Sequence, residues 1–368
     1  MIRFDNVSKV YPDGTVAVEG LSLQAPTGKL TVLIGPSGCG KTTSMRMINR
    51  LIDPTSGVIS LNETDTQTLN RVTLRLQLGY VIQNAGLFPH RTIVDNIAAL
   101  PRLLGAKRQD ARSNALELLE RVGLNPGLAD RYPWQLSGGQ QQRVGVARAL
   151  ATDPPFLLMD EPFSAVDPIT RAQLQDEFLR LQREIGKTIV MVTHDIDEAL
   201  KLGDQIAVLR EGGKLVQIAT PAHLLAHPAD AFVADFVGSA RGYRALGFVA
   251  SEGVVPITRE STVHIGEWVN DRVSTADGWV LAVNDSGAPL GWVHLDALPG
   301  TTIAVEDVNI SGTNAPASGT LRDLLDSALS SPSGRGVVID GTGTLVGTVS
   351  SDDIVSAIRR AKAEVPTA

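Results

Sequence analysis

One run, Gly35-Pro36-Ser37-Gly38-Cys39-Gly40-Lys41-Thr42-Thr43, restricts the fold more than any other stretch of the chain. It fits the pattern G-x-x-x-x-G-K-[ST], a phosphate-binding loop that works only between a strand and a helix. Both flanks comply, since 29–34 (KLTVLI) reads as a buried strand and 43–51 as a helix. Glycines lack Cβ atoms, so backbone N–H groups can turn inward and ring an anion at the positive end of the helix. Lys41 would add a point charge near the β- and γ-phosphates, and Thr42 a hydroxyl for Mg²⁺. Nucleotide binding on an α/β fold is the first expectation, and by itself it names no function.

At 368 residues the chain exceeds what one hydrophobic core usually serves, so two domains are expected. No run of about 18 apolar residues offers a membrane span. The opening Met1-Ile2-Arg3-Phe4-Asp5 is strand-like and has no apolar signal core, which predicts a cytoplasmic location. Cys39 is the only cysteine, so an intrachain disulfide and a cysteine metal cluster are both excluded. Its expected role is that of a small loop residue. The formal net charge of −7 argues against a nucleic-acid polymer as partner. From residue 240 onward nine basic residues face fifteen acidic ones, so −6 of that charge belongs to the second domain.

Along the chain, 2–7, 17–23 and 30–34 read as strands, with a turn at Tyr11-Pro12-Asp13-Gly14. Tyr11 is the aromatic near that turn that could reach a base beside the glycine loop, or simply pack on the sheet. A strand over 78–83 ends on Gln83. Residues 92–151 change to helical periods (93–104, 108–122, 139–151), a helical insertion in an α/β domain. Within it, Leu136-Ser137-Gly138-Gly139-Gln140 places a capping serine before two glycines, which reads either as a second anion site or as an ordinary helix start. The apolar run 156–159 then ends in Asp160-Glu161. At the C-terminal end of a buried parallel strand, Asp160 is placed for Mg²⁺ and Glu161 to orient or deprotonate a water. After Asp167 comes an amphipathic helix over 168–184. A further apolar run, 188–192, ends in Thr193-His194, and that histidine is either structural or a γ-phosphate contact.

Together these segments resemble the nucleotide-binding subunit of an ABC transporter over residues 1–239. The resemblance implies a P-loop ABC ATPase with a RecA-like core, an antiparallel β subdomain and a helical subdomain near 92–151. It implies ATP and Mg²⁺ as substrate and metal, with the backbone of Gly35, Ser37, Gly38, Cys39, Gly40 and Thr43 around the phosphates and Lys41 and Thr42 on phosphate and metal. Tyr11 would stack on adenine, Gln83 would sense the metal and link to the membrane subunit, and Asp160, Glu161 and His194 would serve hydrolysis. Ser137, Gly138, Gly139 and Gln140 would face the ATP held by a second copy, with Asp167 bridging the two copies. Ile48-Asn49-Arg50-Leu51, Gly86-Leu87-Phe88-Pro89-His90, Asp95-Asn96-Ile97, Asp130-Arg131-Tyr132-Pro133 and Asp167-Pro168-Ile169-Thr170-Arg171 resemble the branch that imports quaternary-amine osmoprotectants: glycine betaine, carnitine, choline or proline betaine. Ser164 and Val166 depart from the Gly and Leu common there. Integral-membrane permease subunits and an extracytoplasmic solute-binding protein are the implied partners, and the cytoplasmic membrane face the implied location. The alternatives are an importer of an amino acid, polyamine or anion, and a soluble ABC ATPase acting on ribosomes or DNA.

Beyond short helices over 221–237 and a hinge at 238–244, a strand-turn-strand pattern occurs twice, at 278–293 and 336–349. The second copy has expected helices at 321–329 and 352–361. This smaller α+β domain, 240–368, is similar to a tandem CBS module, a regulatory unit that often binds adenine nucleotides or a cyclic dinucleotide. Gly347, Ser350 and Asp353 match that family's ligand pattern. Gly291, His294 and Ala297 show that the first copy has lost it. An anionic ligand in so acidic a domain needs a local cation such as Arg335. Ligand sensing, a dimer-forming or salt-sensing role, and a different fold are the alternatives for this domain.

Overall fold

The computed structural model describes residues 1–83, 85–164, 166–268, 277–298 and 302–363, with side chains through residue 360. The chain divides into two compact units, Met1–Gly238 and Ser239–Ala368.

The strands of the first unit are β1 (Ile2–Val10), β2 (Val16–Ala25), β3 (Leu30–Ile34), β4 (Ser56–Leu61), β5 (Thr64–Asp65), β6 (Leu78–Val81), β7 (Phe156–Asp160), β8 (Thr188–Val192), β9 (Gln205–Arg210) and β10 (Lys214–Ala219). They form an antiparallel sheet in the order β2-β1-β4-β5 and a six-stranded sheet in the order β10-β9-β3-β8-β7-β6. The larger sheet is parallel except for β10. Sequence pattern separates the two. β3, β7 and β8 are apolar almost throughout and buried at every residue, as a sheet covered on both faces requires, whereas the C-terminal half of β2 alternates buried and exposed. The inward face of the antiparallel sheet (Ile2, Phe4, Leu21, Leu23) shares one core with Met45, Met47 and Ile48 of the helix Lys41–Ile48 and with Phe156, Leu158, Val190 and Val192. Because the strands are parallel, the C-terminal ends of β3, β7 and β8 lie along one edge, and each runs directly into a polar motif.

The helical insertion between β6 and β7 contains Ile93–Ile97, Ala99–Leu103, Arg108–Arg121 and Gly138–Leu150. The single helix expected over 93–104 is two short ones. Pro101 has no N–H to give the carbonyl four residues earlier, and the helix breaks at Ala98, one turn before it. No helix among the described residues is long and apolar enough to cross a membrane.

The second unit holds β11 (Thr262–His264), β12 (Trp279–Val283), β13 (Pro289–His294), β14 (Asn314–Pro316), β15 (Arg335–Ile339) and β16 (Leu345–Ser350). They make two sheets of one design, β11-β12-β13 and β14-β15-β16, each a parallel pair followed by an antiparallel hairpin. The hairpin turns are chemically alike. Asn284 Oδ1 accepts from the N–H groups of Ser286 and Ala288, and Asp340 Oδ1 from those of Thr342 and Thr344. The second copy has the helices Leu321–Ser330 and Ser351–Ala363; the described residues of 262–298 contain no α-helix. The second unit is therefore α+β. The hinge expected at 238–244 is partly ordered, since Arg241–Ala245 is helical and Tyr243 packs on the core of the second unit while donating to Asp326.

Candidate nucleotide site

The glycine loop leaves β3 and enters the helix Lys41–Ile48 with Gly35, Gly38 and Gly40 at φ 153°, 78° and 97°. A Cβ on Gly35 would stand 2.2 Å from the Leu209 carbonyl oxygen, and one on Gly40 2.2 Å from that of Ala17, so both positions demand glycine on contact as well as on dihedral grounds. The buried Lys41 ammonium donates to the carbonyls of Gly35 (2.7 Å) and Pro36 (2.8 Å), which fixes it over the loop. Ser37 and Gly38 are exposed at the tip, and Thr42 and Thr43 are half-buried at the helix start. Cys39 is 1% exposed, and burial pushes its thiol up from the ordinary value.

Three chain segments converge beside this loop. The Thr42 hydroxyl donates to Asp160 Oδ1 at 3.3 Å. Burial raises the Asp160 carboxyl, opposed by that hydrogen bond and by Arg46, while the charge of Glu161 adds to the rise. Glu161 has φ 44°, a left-handed conformation that costs a non-glycine residue about 1 kcal/mol. Its N–H still donates to the Val192 carbonyl at 2.9 Å, so the chain turns sharply while staying in register with β8. One Glu161 oxygen accepts from Gln83 Nε2 at 3.1 Å, and the other lies 3.1 Å from His194 Nδ1. Gln83, Asp160-Glu161 and His194, read separately from three strand ends, therefore form one cluster. A carboxylate gripped on both oxygens can orient a water or accept its proton. The hydroxyl of Thr42, the carboxylate of Asp160 and the amide of Gln83 are hard oxygen donors that suit Mg²⁺, which ordinarily takes one or two carboxylates with the remaining positions filled by phosphate and water.

The remaining candidates stand apart from this cluster within one chain. Tyr11 is half-buried in its hairpin, with its ring 5.4 Å from the Lys9 ammonium. Ser137 caps the helix Gly138–Leu150. Its hydroxyl accepts from Gln140 N–H at 3.3 Å and Gln140 Oε1 accepts from Ser137 N–H at 3.0 Å, a reciprocal cap. Ser137 and Gly138 are exposed, and Gly139 is packed against Thr170 and Leu174. Asp167 caps the helix Pro168–Ile185 by accepting from Thr170 N–H at 3.0 Å, which holds its carboxyl below the usual range.

In the second unit the Gly347–Ser350–Asp353 pattern has a complete local account. The Ser350 hydroxyl donates to Asp353 Oδ2 at 2.6 Å and accepts from Asp353 N–H at 3.1 Å, at the start of the helix Ser351–Ala363. A Cβ on Gly347 would meet the Thr258 carbonyl oxygen at 2.5 Å, and one on Gly291 that of Asn309 at 2.4 Å. Both glycines admit a crossing backbone, at the bridges Thr258–Thr348 and Trp292–Asn309. Arg335 is not the uncommitted cation expected for an anionic ligand. It pairs with Glu260 at 2.9 Å and with Asp277, donates to the Trp279 carbonyl and covers the Trp292 ring.

Sequence reading missed two side chains that shape the loop after Gln83. Asn96, fully buried, accepts from Phe88 N–H (2.7 Å) and donates to the carbonyls of Phe88 (3.1 Å) and Thr92 (2.9 Å). Arg148 donates at 2.7 Å to the carbonyls of both Ala85 and Gly86. The available signal was a polar residue on an otherwise apolar helix face, and Asn96 lies in a motif already quoted for the resemblance.

The family model for ABC transporters matches residues 18–164. The osmoprotectant import ATP-binding protein OsmV of Salmonella typhimurium is 42% identical over 364 residues, covering 96% of this chain and 95% of its own length. The choline transport ATP-binding protein OpuBA of Bacillus subtilis is 45% identical over 307 residues (81% of this chain, 79% of that protein). The glycine betaine uptake system ATP-binding protein YehX of Escherichia coli is 43% identical over 309 residues (81% and 99%). Among solved structures, the dimeric bacterial ABC transporter cassette MJ0796 aligns with TM-score 0.54 and 35% identity over 60% of this chain and 99% of its own. Its post-hydrolysis state with ADP and phosphate aligns with TM-score 0.54 and 34% identity over the same shares. On its glycine loop, its carboxylate cluster and this full-length similarity, the chain belongs to the family of ABC transporter ATP-binding proteins and is an ATPase.

Proposed function

We propose that this chain energises an importer of quaternary-amine osmoprotectants, of the glycine betaine, choline and carnitine class, by hydrolysing ATP at the cluster around Glu161. The carrying observation is the Glu161 carboxylate held between Gln83 and His194 beside the Lys41 loop. In this reading the loop residues Gly35, Ser37–Gly40, Thr42 and Thr43 surround the phosphates, Lys41 binds them, and Tyr11 faces the adenine. Thr42, Asp160 and Gln83 hold Mg²⁺, which when bound neutralises phosphate charge. Glu161 orients the attacking water and takes its proton, and His194 steadies the γ-phosphate. Two copies pair so that Ser137–Gln140 of one reach the nucleotide of the other, with Asp167 at the seam. The dimeric cassette among the similar structures supports that pairing.

The cargo rests on the names of the relatives, two of which print choline or glycine betaine. The permease contact is expected near Gln83 to His90, a reading supported by the exposure of Phe88 (42%) on the loop that Asn96 and Arg148 fix and by the adjoining groove of Arg91, Asp95, Arg102 and Leu103. A peripheral position on the cytoplasmic membrane face and an extracytoplasmic binding protein follow from that assembly. The second unit is read as a regulatory CBS-like module that pairs with its copy. A nucleotide or cyclic dinucleotide at Gly347, Ser350 and Asp353 has weaker support, because Arg335 is already ion-paired.

The test is Glu161→Gln in the purified full chain. Hydrolysis should fall by about 10²- to 10⁴-fold, the usual contribution of a general base, while ATP binding persists and favours a dimer in size-exclusion chromatography. Undiminished turnover would remove the catalytic role. Uptake of labelled glycine betaine by cells carrying Lys41→Ala in place of the native chain should be lost; if polyamine or amino-acid uptake is lost instead, the cargo is wrong.

A further inference from the structure

The turn carrying Asp167 and the turn carrying His194 are tied together by one side chain. Arg171 lies in the first turn of the helix that Asp167 caps, and its own N–H donates to the Asp167 carbonyl at 2.8 Å. Its guanidinium reaches back to donate to the Val166 carbonyl at 3.0 Å, the residue just before Asp167. The same guanidinium lies 3.8 Å from Oδ2 of Asp195, the residue just after His194. Asp195 Oδ1 meanwhile accepts from the N–H groups of Asp197 and Glu198 (2.9 and 3.2 Å), and its N–H donates to the Thr193 hydroxyl at 3.1 Å. Asp195 is therefore held by the Thr193 hydroxyl before His194 and by two backbone N–H groups after it, and offers its remaining oxygen to Arg171. Below lies Glu198, 5% exposed, which the Thr193 hydroxyl and the Gln175 amide bond and toward which Arg171 contributes positive charge. Arg171 Nε is itself buried and makes no hydrogen bond among the described residues.

We infer that Arg171 is a positioning residue that couples the Asp167 turn to His194, so that seating Asp167 against a second copy of this chain sets the histidine beside Glu161. The planar fork of arginine suits this task. It spans a carbonyl and a carboxylate at once, which the single ammonium of lysine cannot do in the same geometry. The coupling rests on the roles proposed above for Asp167 and His194, and it adds a residue that touches neither nucleotide nor metal.

The test measures steady-state hydrolysis by the full-length chain carrying Arg171→Ala, Arg171→Lys, His194→Ala and the Arg171/His194 double substitution. All assays run below the lowest melting temperature, with ATP affinity measured separately by fluorescent-nucleotide displacement. Arg171→Ala should lower kcat by about tenfold or more, as misplacement of a reacting group does, with ATP affinity unchanged within about twofold. Arg171→Lys should recover part of that loss. In the His194→Ala background Arg171→Ala should cost little more, because the two act through one element. Two results overturn the coupling: losses that multiply in the double variant, or an Arg171→Ala protein that melts earlier yet keeps its kcat. If His194→Ala itself retains full kcat, the reading of His194 fails instead, and the inference fails with it.

Discussion

Cys39 shows how a residue inside the glycine loop can be chemically silent. Its thiol is buried within the glycine loop, and burial outweighs the neighbouring Lys41 charge, so the thiolate is disfavoured. Iodoacetamide at pH 8 should leave the native chain unmodified by mass spectrometry over a period in which the urea-unfolded chain is fully alkylated; rapid native labelling would refute the packing described. Glu198 offers a titration with a definite sign. Burial raises its carboxyl above the ordinary value, so its contribution to stability is fully present below the unfolded pKa and is lost as pH rises through the folded one. Glu198→Gln should therefore gain stability relative to the parent from about pH 4.5, the ordinary range of a glutamate, upward, in urea melts at a series of pH values. An advantage that shrinks as pH rises would contradict the assignment. Glu161 was legible from sequence because a carboxylate ending an apolar run has few structural reasons to be there, whereas His194 read as structural or functional until the family resemblance gave it a role. Arg148 was not, since the Ala85 and Gly86 carbonyls it holds are reached only through the tertiary fold; Asn96 and Arg171 stand in quoted motifs, but the loop that Asn96 closes and the Asp195 carboxylate beside Arg171 come into view only in the structure.

Elements were legible where one face or one whole strand is apolar, and misread where a single residue overrides the pattern. β3, β7 and β8 follow from runs buried at every position, and their parallel order gathers three motifs at one sheet edge. Pro101 divides a helix that periodicity alone joins, and Tyr243 secures part of a segment whose small residues suggested a hinge. The two hairpins of the second unit show the opposite case, a repeat visible in sequence whose glycines have a different purpose from the one the pattern suggested. Gly291 and Gly347 both lie where a crossing backbone leaves no room for Cβ. Gly347→Ala and Gly291→Ala should each destabilise the second unit by about 1–3 kcal/mol, the cost of overpacking a filled site. The fluorescence of Trp279 and Trp292 in urea titrations reads this directly. A purely ligand-binding Gly347 would leave the unliganded transition unmoved.

At the scale of the whole molecule, two units of different chemistry share one chain, and their ligand responses separate them. The first unit carries a lysine fixed over the glycine loop and, beside it, the Thr42 hydroxyl on the Asp160 carboxylate. The second is strongly acidic, and its Arg335 is held by Glu260 and Asp277, with the Glu260 carboxylate also accepting from the Thr348 hydroxyl at 2.8 Å. An anion entering there must displace two carboxylates from one guanidinium. The Asp353 carboxylate also accepts from the Ser350 hydroxyl at the start of its own helix, so Asp353→Ala lowers stability whether or not a ligand binds and cannot by itself reveal a sensor. The discriminating measurement is the ligand-induced shift in the melting of the intact chain. Mg-ATP at a hundredfold excess over its Kd should stabilise it by about 2.7 kcal/mol, and Lys41→Ala should abolish that gain. AMP and a cyclic dinucleotide should add nothing in the Lys41→Ala chain, where the first site is disabled. A shift there that survives Lys41→Ala but is lost in the Lys41/Asp353 double variant would assign a nucleotide site to the second unit. It would also require Arg335 to exchange its carboxylate partners for the ligand, a rearrangement that Glu260→Gln should make easier.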